Sequence, residues 1–367
     1  MIPVPCATMD RTPHLLATIT ANGFGHAVQT GAVLHALRRR LPGLRLTIQT
    51  AIPAARIAEI APQPYDLLRV DHDFGVVIRS ATELDLPATR EAYGRLARDW
   101  EILAEAQAAT IRGRAVDLVL ANVSFLAIEG AARAGVPAAA LACLTWSDIL
   151  RGLFPQGDPA LAALCRMEAA YGRVAAFLQP EPSMPTAAPV EAVRTGPIST
   201  RGQDRRDALR RQLGMAPGER LVLVALGGMG DAPPVAQWLE NPGLRWLVPA
   251  GTPEGPRVHA LPGLDLGWAD AVASADAFVG KPGYGSITSA AVNGAPFLFM
   301  RRGDWPEEPP LIAWALDRIQ ALEVPPGQLW SGAIAGALDA LWARPARPRV
   351  EPTGADEIAE ALAALLD

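Results

Sequence analysis

Short, β-rich apolar runs alternate along this chain with longer stretches in which apolar residues recur at helical spacing. His14–Thr20 is the first run, broken by Ala21-Asn22-Gly23-Phe24-Gly25. From His26 to Arg40, Val28, Ala32, Val33, Ala36 and Leu37 trace a helical stripe, closed by Arg38-Arg39-Arg40 where cations suit the helix dipole. Leu44–Ala51 reads as a strand, Ala88–Arg112 as a long helix, Val116–Ala121 as a strand, Phe125–Ala134 as a helix stopped by Gly135, and Pro137–Cys143 as a strand. A proline-dense segment, Gln179–Ile198, reads as a linker. The alternation then restarts with helix Arg205–Leu213 and strands Leu221–Leu226, Trp246–Ala250 and Ala277–Val279. Helix Ser286–Val292, strand Pro296–Met300 and an amphipathic helix Asp356–Leu366 complete it. Such alternation predicts parallel sheets with helices on both faces. Two halves of this kind imply two doubly wound α/β domains. Sheets of that type take ligands beyond the carboxyl ends of their strands, so a cleft between the halves is the expected site.

The length, 367 residues, accommodates two domains with their own cores, and 50% hydrophobic content is incompatible with a disordered chain. The apolar run Val136–Leu144 is about half of the roughly 18 residues that cross a bilayer. No leader pattern is recognisable at the amino end, so a cytoplasmic protein is expected, with peripheral attachment at the inner membrane left open. Cys6, Cys143 and Cys165 are too few and scattered for a disulfide frame or a metal knuckle. The net charge of −5 argues against a nucleic-acid partner. Lys281 is the only lysine in a chain whose other basic residues are arginine, retained by chance or because a guanidinium fork does not serve there.

Asn22-Gly23-Phe24-Gly25-His26 joins the first strand to the first helix, with glycines that let a ligand approach the backbone and amides free at a helix start. Its spacing is not G-x-G-x-x-G, and Thr47-Ile48-Gln49-Thr50 puts no acid at the end of the second strand, so a dinucleotide oxidoreductase is not expected. His26 serves there either as a helix-capping residue or as a neutral imidazole able to accept a proton. Asp148 is a cleft acid or a turn former. Gly227-Gly228-Met229-Gly230 is a tight turn or a diphosphate loop. Gly280-Lys281-Pro282-Gly283-Tyr284-Gly285-Ser286 opens a helix and so makes an anion site from amides and dipole. Arg301-Arg302 and Glu307-Glu308-Pro309 follow the next strand; ionised carboxylates offer acceptors to sugar hydroxyls, one of the pair entering the cleft and the other solvated or paired with an arginine. Asp71-His72-Asp73 lacks supporting ligand spacing, and no metal is expected. Trp238, Trp246, Trp314, Trp330 and Trp342 read as core.

These segments resemble the GT-B glycosyltransferases, and most of all the glycosyltransferase-like amino-terminal half of plant and bacterial L-arabinokinases and its stand-alone relatives. The resemblance runs through Gly23–Ala27, Asp73-Phe74-Gly75-Val76-Val77, Val116-Asp117-Leu118-Val119, Ala131–Gly135, Trp146, Gly227-Gly228, Gly280–Ser286 and Arg301–Pro309, about residues 14–320. It implies a GT-B architecture of two Rossmann-like parallel-sheet domains facing a cleft. Residues 1–195 would form the acceptor side, with Asn22, Gly23, Phe24 and Gly25 in its loop. Residues 196–350 would hold the nucleotide sugar, and a helix in 351–367 would pack back on the first domain. By similarity to the transferase that adds N-acetylglucosamine to the lipid-linked peptidoglycan precursor, His26 matches a histidine proposed to help catalysis. Glu307 and Glu308 match positions that contact sugar hydroxyls. Where that relative has a ribose-holding Glu, this chain has Ser289, which is too short for the same contact and leaves the donor base open.

The implied activity is transfer of a hexosyl or pentosyl group from a nucleoside-diphosphate sugar to a small-molecule, lipid-linked or protein acceptor, without metal or cofactor and with inversion. His26, or Asp148, would deprotonate the acceptor. Gly228, Met229, Lys281, Gly283, Tyr284, Gly285, Ser286, Ser289, Arg301, Glu307 and Glu308 would hold the donor. A non-catalytic sugar-nucleotide-binding module, and an epimerase or hydrolase on the same fold, are the alternatives. No sugar-kinase phosphate loop is present, so kinase activity is not expected.

Overall fold

The computed structural model describes residues 12–70, 74–79, 83–226, 234–235, 238 and 243–367. The first half is built on β1 (His14–Ile19), β2 (Arg45–Thr50), β3 (Asp66–Arg69), β4 (Leu118–Asn122), β5 (Ala138–Leu141), β6 (Ala176–Pro180) and β7 (Ala192–Thr195), which pair in the order β3-β2-β1-β4-β5-β6-β7. The second is built on β8 (Arg220–Ala225), β9 (Leu244–Val248), β10 (Val258–Ala260), β11 (Ala277–Gly280), β12 (Phe297–Phe299) and β13 (Ala321–Glu323), in the order β10-β9-β8-β11-β12-β13. Every pairing within these sheets is parallel. The expected pair of doubly wound α/β domains is therefore the observed architecture.

Helices α1 (Gly25–Arg40), α2 (Ala54–Ala58), α3 (Leu86–Gly113), α4 (Phe125–Ala134), α5 (Trp146–Leu153) and α6 (Leu164–Tyr171) accompany the first sheet. Helices α7 (Arg206–Gln212), α8 (Trp268–Ser274), α9 (Tyr284–Asn293), α10 (Glu308–Arg318), α11 (Pro326–Ser331) and α12 (Ala335–Trp342) accompany the second, and α13 (Gly354–Leu366) ends the chain. The boundaries have local causes. The Ser124 hydroxyl accepts the Ala127 amide at the start of α4, which stops at Gly135, at φ +70. The Asp85 carboxylate caps α3 through Ala88.

In β8 the side-chain alternation of a strand sends Leu221, Leu223 and Ala225 into one apolar cluster and Val222 and Val224 into another, so both faces of the second sheet are covered. The Gln179–Ile198 segment is not a plain linker: it holds the end of β6 and all of β7. Pro182, Pro185 and Pro189 fall in the connection, leaving Ala192–Thr195 free of proline to form the outer strand. Val28 lies off the buried stripe of α1, half exposed, and Trp314, Trp330 and Trp342 are half-buried rather than core.

The chain passes twice between the halves, and the passages touch. A Cβ on Gly354 would stand 2.0 Å from the Gly196 carbonyl oxygen, so glycine is required there for space. Beyond this crossing α13 lies along α1, burying Ile358, Ala359 and Leu362; the exposed pairs Arg39–Asp356 and Arg40–Glu360 add little.

Candidate functional site

The strand order reverses between β1 and β4 in the first sheet and between β8 and β11 in the second. Loops leaving the carboxyl ends of such neighbours diverge and open a crevice. In the first half this places Asn22-Gly23-Phe24 and the start of α1 beside the end of β4, with Ile19 in register with Asn122. Gly23 is in the left-handed region at φ +80, and α1 has neither a side-chain cap nor an acid in its first turn. Phe24 is half-buried under the Arg56 guanidinium, 4.3 Å from its ring centre, and Gly25 and Asn22 border the same loop.

His26 is 8% exposed. Its Nδ1 lies 2.9 Å from Asn122 Oδ1. The orientation of the Asn122 amide is fixed independently, because its Nδ2 donates to the His26 carbonyl (3.1 Å) and to Thr30 Oγ1 (3.0 Å). Oδ1 must therefore accept, Nδ1 must carry the hydrogen, and the lone pair is left on Nε2. Burial pushes the imidazole down to about 4, against the opposing effect of the Asn122 hydrogen bond. His26 is thus neutral at physiological pH, in the tautomer of a base. Asn122 lies 96 residues away, and its only sequence signal was its place at the end of the strand beside β1. Asp148 has its carboxylate engaged: Oδ2 accepts from the Thr145 hydroxyl and Oδ1 from the Ala187 amide, ties that cap α5 and pin a loop.

In the second half, Gly228 and Met229 lie outside the described residues. The other loop at the switch point, after β11, leads straight into α9. That helix has no acidic residue in its first turn and, among the described residues, no side-chain cap on the amides at its start, where the positive end of its dipole lies. Gly283 and Gly285 have ordinary φ values, and a Cβ on either would meet nothing within 4 Å. Nothing among the described residues demands glycine there; a ligand laid against the backbone would. Lys281 precedes the helix. Burial, and next the Arg302 charge, push its ammonium down to about 8, with Glu308 and Glu307 opposing. Tyr284 is buried, and its hydroxyl accepts the Ile198 amide at 2.9 Å, which ties α9 to the chain crossing. Ser286 is half-buried at the helix start, and Ser289, one turn on, accepts from the indole of Trp268 at 3.2 Å. Trp268 is 41% exposed, a large flat apolar surface that sequence pattern alone did not single out.

Both carboxylates are buried, Glu307 less completely, at 6% exposure. Glu308, 1% exposed, accepts from Arg302 Nε at 2.6 Å, while Glu307 accepts from the Trp305 indole at 3.0 Å. Burial raises the Glu308 carboxyl above its usual range, with Arg302 opposing. The Arg302 guanidinium also lies over the Trp305 ring. Arg301 points elsewhere and pairs with Glu323 at 2.9 Å. The strand end alone does not distinguish the two arginines, and it is Arg302 that joins the cluster.

The halves meet at this cluster. The Glu307 charge, after burial, raises the thiol of Cys143, whose Sγ accepts from Gln29 of α1 at 3.6 Å. A Cβ on Gly152 of α5 would stand 2.6 Å from Pro306. Gln29, bonded to Cys143 and next to Asn122, and Glu307, close to Arg302, therefore lie on the two sides of this meeting point. Asp148 and Arg301 carry other partners. Among the described residues no group of three or more His, Cys, Asp or Glu side chains could hold a metal ion, and no helix is long and apolar enough to cross a membrane.

No protein-family model matches the chain. An L-arabinokinase of Arabidopsis thaliana is 25% identical over 297 residues, 79% of this chain but 28% of the length of that protein. Solved structures with similar folds include CalG4, the calicheamicin glycosyltransferase, at TM-score 0.64 and 17% identity over 97% of this chain and 98% of that one. LpCGTa in complex with UDP aligns at 0.59 and 18%, over 95% and 94%. Medicago truncatula UGT71G1 complexed with UDP-glucose aligns at 0.57 and 13%, over 96% and 94%. With its two parallel-sheet α/β halves and these neighbours, the chain has the GT-B fold.

Proposed function

We propose that the protein is a glycosyltransferase that moves a sugar from a nucleoside-diphosphate donor to an acceptor hydroxyl, without a metal and with inversion. The observation that carries this is the uncapped start of α9 at the switch point of the second sheet, with open glycine backbone and Lys281 beside it, in a chain whose first sheet carries a neutral His26 at its own switch point. His26 Nε2 takes the acceptor proton as the acceptor oxygen bonds to the anomeric carbon. The diphosphate leaves with the electron pair of the broken bond, and the α9 amides and the Lys281 ammonium stabilise its growing charge. Glu307 accepts hydrogen bonds from the sugar hydroxyls, and Trp268 offers its exposed face to the base. Structures similar in fold that hold UDP or UDP-glucose support a nucleotide-sugar donor.

A thermal-shift screen of nucleoside diphosphates tests this. A ligand at 100 times its Kd adds about 2.7 kcal/mol to the folded state, a rise of several degrees for a chain of this size. Lys281→Met is expected to lower that affinity by roughly 10- to 150-fold, the range for hydrogen bonds to charged groups. Unchanged midpoints with every nucleoside diphosphate would overturn the proposal.

A further inference from the structure

The segment Phe74-Gly75-Val76-Val77, between β3 and α3, has no part in the chemistry above, although its sequence is one of those that carry the family resemblance. Gly75 lies flat against the outer ring of Trp146. A Cβ there would stand 2.2 Å from Cη2 and 2.3 Å from Cζ2 of the indole. Gly75 has no positive φ, so it is glycine for space alone. Its backbone cannot retreat, because the next turn is tied down: the Val77 amide donates to Thr89 Oγ1 at 3.0 Å and the Val77 carbonyl accepts from Asp85 at 2.9 Å. Trp146 is fully buried, and among the described residues its indole N–H has no hydrogen-bond partner. The same ring meets His26 edge-on, with centroids 5.7 Å apart and planes at 65°.

We propose that Gly75 and Trp146 are positioning residues for His26: the bare backbone of Gly75 seats the indole, and the indole holds the imidazole on Asn122. This rests on His26 being the base of the transfer reaction, but its seating can be read without any substrate. Nitrogen NMR of His26 in the folded protein is expected to show the single Nδ1–H tautomer. Gly75→Ala, which drives the indole toward the imidazole, and Trp146→Phe, which removes the outer ring, are each expected to give a mixture. The double variant is expected to restore the single form, because the added methyl fills part of the space the outer ring leaves. Transfer should follow the same order: a kcat lower by about 10- to 100-fold in each single variant, the scale of a small misplacement of reacting groups, with recovery in the double. Nucleoside-diphosphate binding should stay unchanged throughout.

A tautomer mixture that the double variant repairs, with no transfer from any donor, would uphold the positioning and sink the transferase reading. If Gly75→Ala does not fold, Trp146→Phe alone decides. A single unchanged tautomer in folded Trp146→Phe, or a double variant no better than either single one, would overturn the proposal.

Discussion

His26→Ala is expected to slow transfer by about 100-fold or more, the usual contribution of a positioned base, while donor affinity moves only a few-fold. The asymmetry follows from placement: His26 belongs to α1 of the first half, whereas the diphosphate site we propose is at the start of α9 in the second. In the wild type, kcat/KM should rise with pH through about 4, as the imidazole loses its proton, and fall above about 8, as Lys281 loses the charge that holds the diphosphate. His26→Ala should abolish the acid limb and keep the alkaline one. Folding stability carries a matching signature. The folded-state value for His26 lies below the unfolded 6.5, so between 6.5 and about 4 the unfolded chain binds the proton first. This contribution is present above 6.5 and lost as pH falls toward 4, about 3 kcal/mol at the limit. Denaturant unfolding of both proteins at pH 7 and 4.5 should show a steeper loss for the wild type. Collapse of donor affinity together with rate would make His26 a binding residue instead.

Glu307 and Glu308 are expected to part company on substitution. Glu308 is buried against Arg302, and Glu308→Gln leaves that guanidinium with only the more distant Glu307 carboxylate, 3.9 Å away, a loss of about 3 kcal/mol in stability, the low end for breaking a buried pair. Glu307→Gln keeps shape, and its amide oxygen can still accept from Trp305. Its effect should fall on the ligand: about 1.5–3 kcal/mol, or roughly 10- to 150-fold, with the nucleotide sugar and nothing with the bare nucleoside diphosphate. Calorimetric titration of both ligands decides this. Equal losses for the two would remove Glu307 from the sugar site.

Much of the fold was legible because it is written in local periodicity. The helix Phe125–Ala134 could be read to the residue, since Ser124 and Gly135 mark its ends in the sequence itself. The outer strand β7 could not, because four prolines stand in the twelve residues before it and no local rule separates a connection from an edge strand that follows one. The candidate site divides the same way. Lys281, Gly283 and Gly285 were visible as a glycine-rich turn opening a helix. The tautomer of His26 depends on Asn122, and the choice of Arg302 over Arg301 depends on which side of the β12 end faces Glu308, relations that spacing does not carry. Trp146 and Gly75 meet only when a loop after β3 crosses the start of α5, so their contact had no signature in either segment.

The most direct measurement is a crystal structure with an intact nucleotide sugar. The diphosphate is expected on the amides of Tyr284, Gly285 and Ser286 with the Lys281 ammonium beside it, and the sugar between Glu307 and His26. A diphosphate seated on the Gly23–His26 loop, or a sugar out of reach of both Glu307 and His26, would contradict it.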